Sequence, residues 1–219
     1  MKITPAEQSE GIMLLIDKPK EYTSAHIVNI VKKILNVKKA GHSGTLDPKA
    51  TGLMIICTGK KTKSLNELLD SDKEYEGVMV IGEKTKSFDS ETEVFETNSA
   101  EYVTKEMAAE TAAGLTGEID QLPPMYSAIK HKGKPLYKMA RKGEVLERST
   151  RKVNIKKFDI TGFTSPEITF RVLCSKGTYI RTLVSDFGNK LGCGAYLKEL
   201  RRTKIGGYDI SSSVTLADF

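Results

Sequence analysis

The chain has 219 residues, 39% hydrophobic and 28% charged, a composition that fills one substantial core and excludes a disordered or fibrous protein. Its longest apolar runs, such as Ile12 to Ile16, fall far short of the roughly 20 residues that cross a bilayer, and no apolar segment follows Lys2 as it would in a secretory signal. Thirty-four Lys and Arg against 28 Asp and Glu leave a net charge of +6, which by itself only leans toward a polyanionic partner.

Residues 1–10 read as a loose polar lead-in, and Ile12–Ile16 as a buried strand that Pro19 stops. Thr23 or Ser24 caps a helix whose apolar residues Ile27, Ile30, Val31, Ile34 and Leu35 recur at helical spacing. A glycine-rich loop over 41–52 leads into a second buried strand at Leu53–Ile56, and a helix is predicted around 62–69. Tyr75–Ile81 alternates as a half-buried strand, and residues 83–100 read as a polar connection. Thr104–Ala113 reads as a helix ended by Gly114 or Gly117, and Pro123-Pro124 breaks the chain again. Val153–Ile160 and Ile168–Cys174 read as strands, the second with Ile168, Phe170, Val172 and Cys174 on one face. Ile180, Leu183, Val184, Phe187 and Leu191 mark an amphipathic helix closed at Gly192. Strands and helices mix without the regular alternation of a doubly wound sheet, so the fold class is α+β, with no linker long enough to separate two domains.

Cys57, Cys174 and Cys193 are odd in number and widely spaced, and His26, His42 and His131 are scattered. Neither set has disulfide-framework or zinc-ligand spacing, so no metal is expected. Positive charge concentrates between Lys130 and Lys157, where eleven Lys and Arg face only Glu144 and Glu147. A second group comprises Lys198, Arg201, Arg202 and Lys204. Such clusters fit either a solvated face or a nucleic-acid footprint.

Two segments stand out as places for chemistry. The stretch GHSGTLDPKATG at 41–52 combines three glycines with Pro48, which disfavours helical backbone at Asp47. The result is a shaped loop that presents Asp47 and His42. It is neither a Walker A loop nor GxGxxG, and an aspartate there fits a turn former as well as a catalyst. The stretch CSKGTYIR at 174–181 lies where a strand hands over to a helix and places Arg181 in the first helical turn. Its planar guanidinium suits a carboxylate or a phosphate. No nucleophile elbow supports a Ser-His-Asp triad.

With these residues in view, the chain resembles the TruB family of pseudouridine synthases, the bacterial enzymes that modify uridine 55 in the TΨC arm of tRNA. The resemblance rests on an ordered series: LIDKP at 15–19, the loop at 41–52, DKEY at 72–75, LPPMYSAIK at 122–130, LYKMAR at 136–141, SKGTYIR at 175–181, LGCGA at 191–195 and LRR at 200–202. It implies a pseudouridine synthase catalytic fold over 11–219, with a mixed, largely antiparallel sheet and a basic RNA-binding insertion around 122–152. It further implies that Asp47 is the catalytic carboxylate and that Arg181 pairs with it. Tyr75 would stack on the target base, His42, Tyr179 and Leu200 would line the nucleotide site, and Lys18 with Pro19 would support the loop. Asp89 falls near a polar position of the family, but Lys86 and Phe88 depart from the family's pattern there, and no role is assigned to it.

The implied reaction breaks the N1–C1′ bond of uridine and rejoins the base through C5, with no redox change, so no cofactor and no metal are expected. The carboxylate could attack covalently or take a proton from the ribose. The implied partner is tRNA, in the cytoplasm, without a membrane and without an obligate protein partner. Bacterial members commonly carry a small C-terminal RNA-binding domain of the PUA type, and a chain that stops at Phe219 is expected to lack it. A noncatalytic RNA-binding or RNA-folding module and a guide-RNA-dependent synthase are the competing readings, and a triad hydrolase is a distant third.

Overall fold

The computed structural model of the chain describes residues 4–127, 129–131 and 133–218. Residues 5–10 form helix α1 (Pro5–Glu10) rather than a loose lead-in. The reason is a capping box: the Thr4 hydroxyl accepts from the Glu7 amide, and the Glu7 carboxylate accepts from the Thr4 amide. β1 (Met13–Lys18) alternates half-buried and buried residues up to Pro19. α2 (Ser24–Ile34) starts at Thr23, whose hydroxyl accepts from the His26 amide. β2 (Ala40–His42) and the almost fully buried β3 (Thr51–Thr58) flank the glycine-rich loop. The expected helix at 62–69 divides into a 3-10 turn over Gly59–Ser64 and α3 (Leu65–Asp70).

After β4 (Lys73–Ile81) the supposed connection contains a hairpin of β5 (Glu83–Thr85) and β6 (Val94–Thr97). α4 (Lys105–Ala113) is capped by the Thr104 hydroxyl and ends at Gly114. β7 (Gly117–Gln121), the small hairpin of β8 (Lys130–His131) and β9 (Lys134–Pro135), and α5 (Leu136–Ala140) follow. Lys132 of the basic stretch lies outside the described residues. The chain continues through the antiparallel pair β10 (Arg151–Thr164) and β11 (Glu167–Cys174) to α6 (Ile180–Leu191). Gly192 closes α6 with φ 83°, a left-handed conformation that glycine adopts without a Cβ penalty. β12 (Ala195–Ile205) and the short β13 (Tyr208–Asp209) come last.

The chain forms two compact units, Met1–Glu76 with Leu200–Phe219, and Gly77–Glu199. In the first, the strand order is β1-β3-β12-β4. β1 and β2 run antiparallel to β3, and β12 runs parallel to it where Arg201 and Arg202 meet Thr51 and Gly52. The period of two splits the apolar run of β3 between faces. Met54 and Ile56 pack with Leu14, Ile16, Ile27 and Val31 on one side, and Leu53, Ile55 and Cys57 pack with Leu68 and Ile205 on the other. A strand buried on both faces reads as a continuous hydrophobic stretch, as this one does.

In the second unit the order is β12-β4-β11-β10-β7, with β10 antiparallel to both β11 and β7. Ile168, Phe170, Val172 and Cys174 are all buried, on the single face that their spacing predicts. Phe158 packs edge-on against Phe170 and tilted against Phe187 of α6. The architecture is α+β on a mixed, largely antiparallel sheet, as expected from the sequence.

Gly52 marks a close approach of β3 to β12 in the first unit. Its φ is +104°, and a Cβ there would lie 2.3 Å from the Arg202 carbonyl oxygen and 2.6 Å from its nitrogen. Gly52→Ala must part β3 from β12 and should cost at least about 3 kcal/mol in urea unfolding, or abolish folding. Gly207→Ala, where a Cβ meets nothing within 4 Å, should stay within about 0.5 kcal/mol of the parent. Equal effects at the two positions would contradict the close strand approach.

Candidate active site

In the first unit the loop between β2 and β3 is fastened from three directions. Ser24, in the first turn of α2 and 3% exposed, donates through Oγ to the Leu46 carbonyl at 3.0 Å and accepts from the Leu46 amide at 2.9 Å. Both backbone groups of the residue before Asp47 are thereby satisfied by one buried hydroxyl. Asp47 then opens a turn closed by the Ala50 amide on its carbonyl at 3.1 Å, with Pro48 at the position where its fixed φ is preformed for a turn. The half-buried Asp47 side chain projects from a backbone held on both sides.

Lys18 supplies the second fastening. It is fully buried at the end of β1, and its ammonium donates to the carbonyls of Pro19 (2.9 Å), Tyr22 (2.7 Å) and Pro48 (3.3 Å). Three donors meet three acceptors, which is what an ammonium needs once water is removed. Burial pushes its pKa down from 10.5 to about 8, with Asp47 and Glu21 opposing the fall and Arg202 reinforcing it.

Arg202 on β12 is the third. Its guanidinium, 1% exposed, donates through Nε to the Leu53 carbonyl at 2.7 Å and through Nη2 to the Gly44 carbonyl at 3.1 Å. His42 sits at the loop entrance and accepts the Gly44 amide on Nδ1 at 3.2 Å. Burial, followed by the charge of Arg202, holds its pKa below the usual imidazole value. A neutral ring with Nδ1 accepting carries its proton on Nε2, which leaves one donor to offer. The neighbouring Arg201 forms a two-pronged ion pair with Asp17 at 3.1 and 2.5 Å. Leu200, half-buried on β12, accepts the Thr51 hydroxyl on its carbonyl at 3.4 Å. Tyr75 lies on β4, 9% exposed.

In the second unit, Arg181 is buried in the first turn of α6 and donates to the carbonyls of Ser87 (3.2 Å) and Tyr126 (2.8 Å). Its Nε faces the Asp89 carboxylate at 3.4 Å. Asp89, 4% exposed, accepts the Ser87 hydroxyl at 2.5 Å and the Glu91 amide at 2.9 Å. A residue left without a role at the sequence level is thus an ion-pair partner of Arg181. Tyr179 precedes the same helix. Its amide donates to Gln121 Oε1 at 2.7 Å, its carbonyl accepts from Gln121 Nε2 at 3.1 Å, and the Arg151 guanidinium lies over its ring, 5.3 Å from the centroid.

The structure therefore gathers Lys18, His42 and Asp47 around one loop, with Leu200 tied to the start of β3, and brings Tyr179 and Arg181 together on one helical turn. Sequence reasoning missed Ser24, Arg202, Asp89 and Gln121 as parts of this machinery. Arg202 stood inside a quoted motif, and Ser24 was named only as a cap. Asp89 fell near a polar family position but beside the departing Lys86 and Phe88, and Gln121 carried no signal, because the burial of a polar side chain is decided by elements far away in sequence. Among the described residues, no group of three or more His, Cys, Asp or Glu side chains is placed to hold a metal ion, and no helix is long and apolar enough to cross a membrane.

Comparison with known proteins bears on the same residues. The family model "TruB family pseudouridylate synthase (N terminal domain)" matches residues 32–180, and "tRNA pseudouridylate synthase B C-terminal domain" matches 181–219. A protein of Flavobacterium johnsoniae named tRNA pseudouridine synthase B is 49% identical, over 99% of this chain and 98% of its own length. The protein of that name from Opitutus terrae is 45% identical, over 98% of this chain and 88% of its own length. Among solved structures, a Cbf5-Nop10-Gar1 complex contains a chain with TM-score 0.76 and 31% identity, covering 97% of this chain and 54% of the other. An H/ACA ribonucleoprotein bound to a substrate RNA containing 2′-deoxyuridine gives 0.73 and 28%, covering 97% of this chain and 53% of the other. This chain thus spans about half the length of each of these two solved chains. With family models matched from residue 32 to residue 219 and near-complete coverage of a relative at 49% identity, the chain belongs to the TruB family of pseudouridylate synthases.

Proposed function

We propose that the protein isomerises uridine to pseudouridine in tRNA, at position 55 of the TΨC arm, with Asp47 as the catalytic carboxylate. The observation that carries this reading is the loop itself: a half-buried aspartate leads a turn whose backbone is held by Ser24 on one side and Lys18 on the other. A reacting group needs a frame of that stiffness to act on a fixed geometry.

In the reaction, the N1–C1′ bond breaks, the uracil turns, C5 bonds to C1′, the C5 proton leaves for solvent and N1 takes up a proton. The nucleoside keeps its formula. Asp47 acts on the nucleoside, and Arg181 is its counterion in this reading. Tyr75 stacks on the base, the Nε2 proton of His42 faces its polar edge, and Tyr179 and Leu200 complete the nucleotide site. The target uridine must leave its stack at a cost of a few kcal/mol, and a stacking aromatic returns about 1–3 kcal/mol of it. The basic residues between Lys130 and Lys157 bind phosphates, which gives affinity without reading sequence. The reading takes tRNA as the partner, with no obligate protein partner, in the cytoplasm.

Asp47→Asn tests the assignment. With a tRNA transcript carrying tritium at uridine C5, the variant should bind RNA within about threefold of wild type and lose roughly a hundred- to ten-thousandfold in tritium release. Near-full release by the variant would show that another group does the chemistry.

Lys18 adds a pH dependence with a distinct sign. Its folded pKa near 8 lies below the ordinary lysine value of 10.5, so between those values the unfolded chain binds more protons. This group therefore makes the fold more stable as pH rises through that window. Loss of the ammonium removes a donor from the loop carbonyls over the same range, so the single-turnover rate should fall above about pH 8 while the melting temperature does not fall with it. A rate that stays flat to pH 9.5 would mean that the loop does not need the ammonium.

A further inference from the structure

Tyr179 occupies the N-cap position of α6 but has no side chain able to cap the helix. Its backbone is fixed from outside instead. Gln121 is the last residue of β7 and is fully buried, and its carboxamide satisfies both the amide and the carbonyl of Tyr179. That carbonyl also accepts the Leu183 amide, the first bond of the helix. Directly across the β7–β10 ladder from Gln121 is Arg151, whose guanidinium lies over the Tyr179 ring. The same guanidinium borders the turn before the ring: a Cβ on Gly177 would lie 3.5 Å from Arg151 Nη1. Ser175, at the start of that turn, is bonded to Asn154 of β10 through both its amide and its hydroxyl. One cross-strand pair thus grips Tyr179 twice, at the backbone and at the ring.

We infer that Gln121 and Arg151 are positioning residues for the isomerisation: Gln121 sets where the Tyr179 ring stands, and Arg151 occupies one ring face so that the nucleoside meets the other. The inference rests on the proposed reading of Tyr179 as part of the nucleotide site. Two physical features favour it over a purely structural role. A glutamine amide that pairs with both peptide groups of one residue fixes its orientation as a strand neighbour would. A guanidinium over a tyrosine face is also held by the ring quadrupole, which draws Arg151 away from the phosphate-binding task expected of the basic stretch around it.

The test measures single-turnover tritium release, tRNA affinity and its salt dependence for wild type, Gln121→Met, Arg151→Met and Tyr179→Ala, and for each of the first two combined with Tyr179→Ala. Wild-type release together with its loss in Tyr179→Ala establishes the underlying reading; the failure of either would remove that reading, whatever the other variants do. Given an active wild type, Arg151→Met and Gln121→Met should each slow release about tenfold with tRNA affinity within threefold, and neither should slow it further when the Tyr179 ring is already gone. Losses that multiply with that of Tyr179→Ala would overturn the inference, because the two side chains would then act independently of the ring. For Arg151 there is a second discriminator. A phosphate contact would lower the slope of log affinity against log salt by about 1 on mutation, and that result with an unchanged rate would overturn its assignment. If Gln121→Met fails to fold, Arg151→Met, at a half-buried position, decides the matter alone by the same criteria.

Discussion

A buried cation must find oxygen atoms, and in this protein the oxygen atoms it finds are the backbone carbonyls of the Asp47 loop. Lys18 and Arg202 are among the largest fully buried side chains of the protein, and each spends its donors on main-chain carbonyls on or beside that loop. Removing a charge from water is costly unless every donor is met, so the segments carrying Pro48, Gly44 and Leu53 are held to the positions those donors reach. Ser24 adds a neutral version of the same device at Leu46. The loop is rigid because three buried polar groups would otherwise be left unsatisfied.

The same economy governs the second unit. Arg181 is paired with Asp89 and two carbonyls, and Tyr179 with the carboxamide of Gln121. Tyr179 and Arg181 sit at the start of a helix, and each is supported by a buried partner from a different element. In that arrangement, side-chain orientation comes from hydrogen bonds to the backbone.

Much of this was legible in the sequence, for identifiable reasons. The apolar run of β3, the one-faced alternation of β11 and the helical spacing in α2 and α6 each follow from burial on a definite face, and the structure has them where the pattern put them. Glycines and Pro48 marked the loop. β12 was missed because five of its eleven residues are charged (Lys198, Glu199, Arg201, Arg202 and Lys204), and a strand that buries an arginine does not alternate by hydropathy. The hairpin of β5 and β6 was missed for a related reason, since its exposed Val94 and Phe95 and polar partners give no period of two. The partnership of Asp89 with Arg181 is a long-range contact between two polar groups, and nothing local in either segment foretells it.

The most direct test of the account maps pseudouridine, nucleotide by nucleotide, in an unmodified tRNA transcript incubated with the wild-type protein and no other protein. The account predicts conversion at a single uridine of the TΨC arm, position 55. Conversion at a different position, or none by a folded protein that binds the transcript, would contradict it.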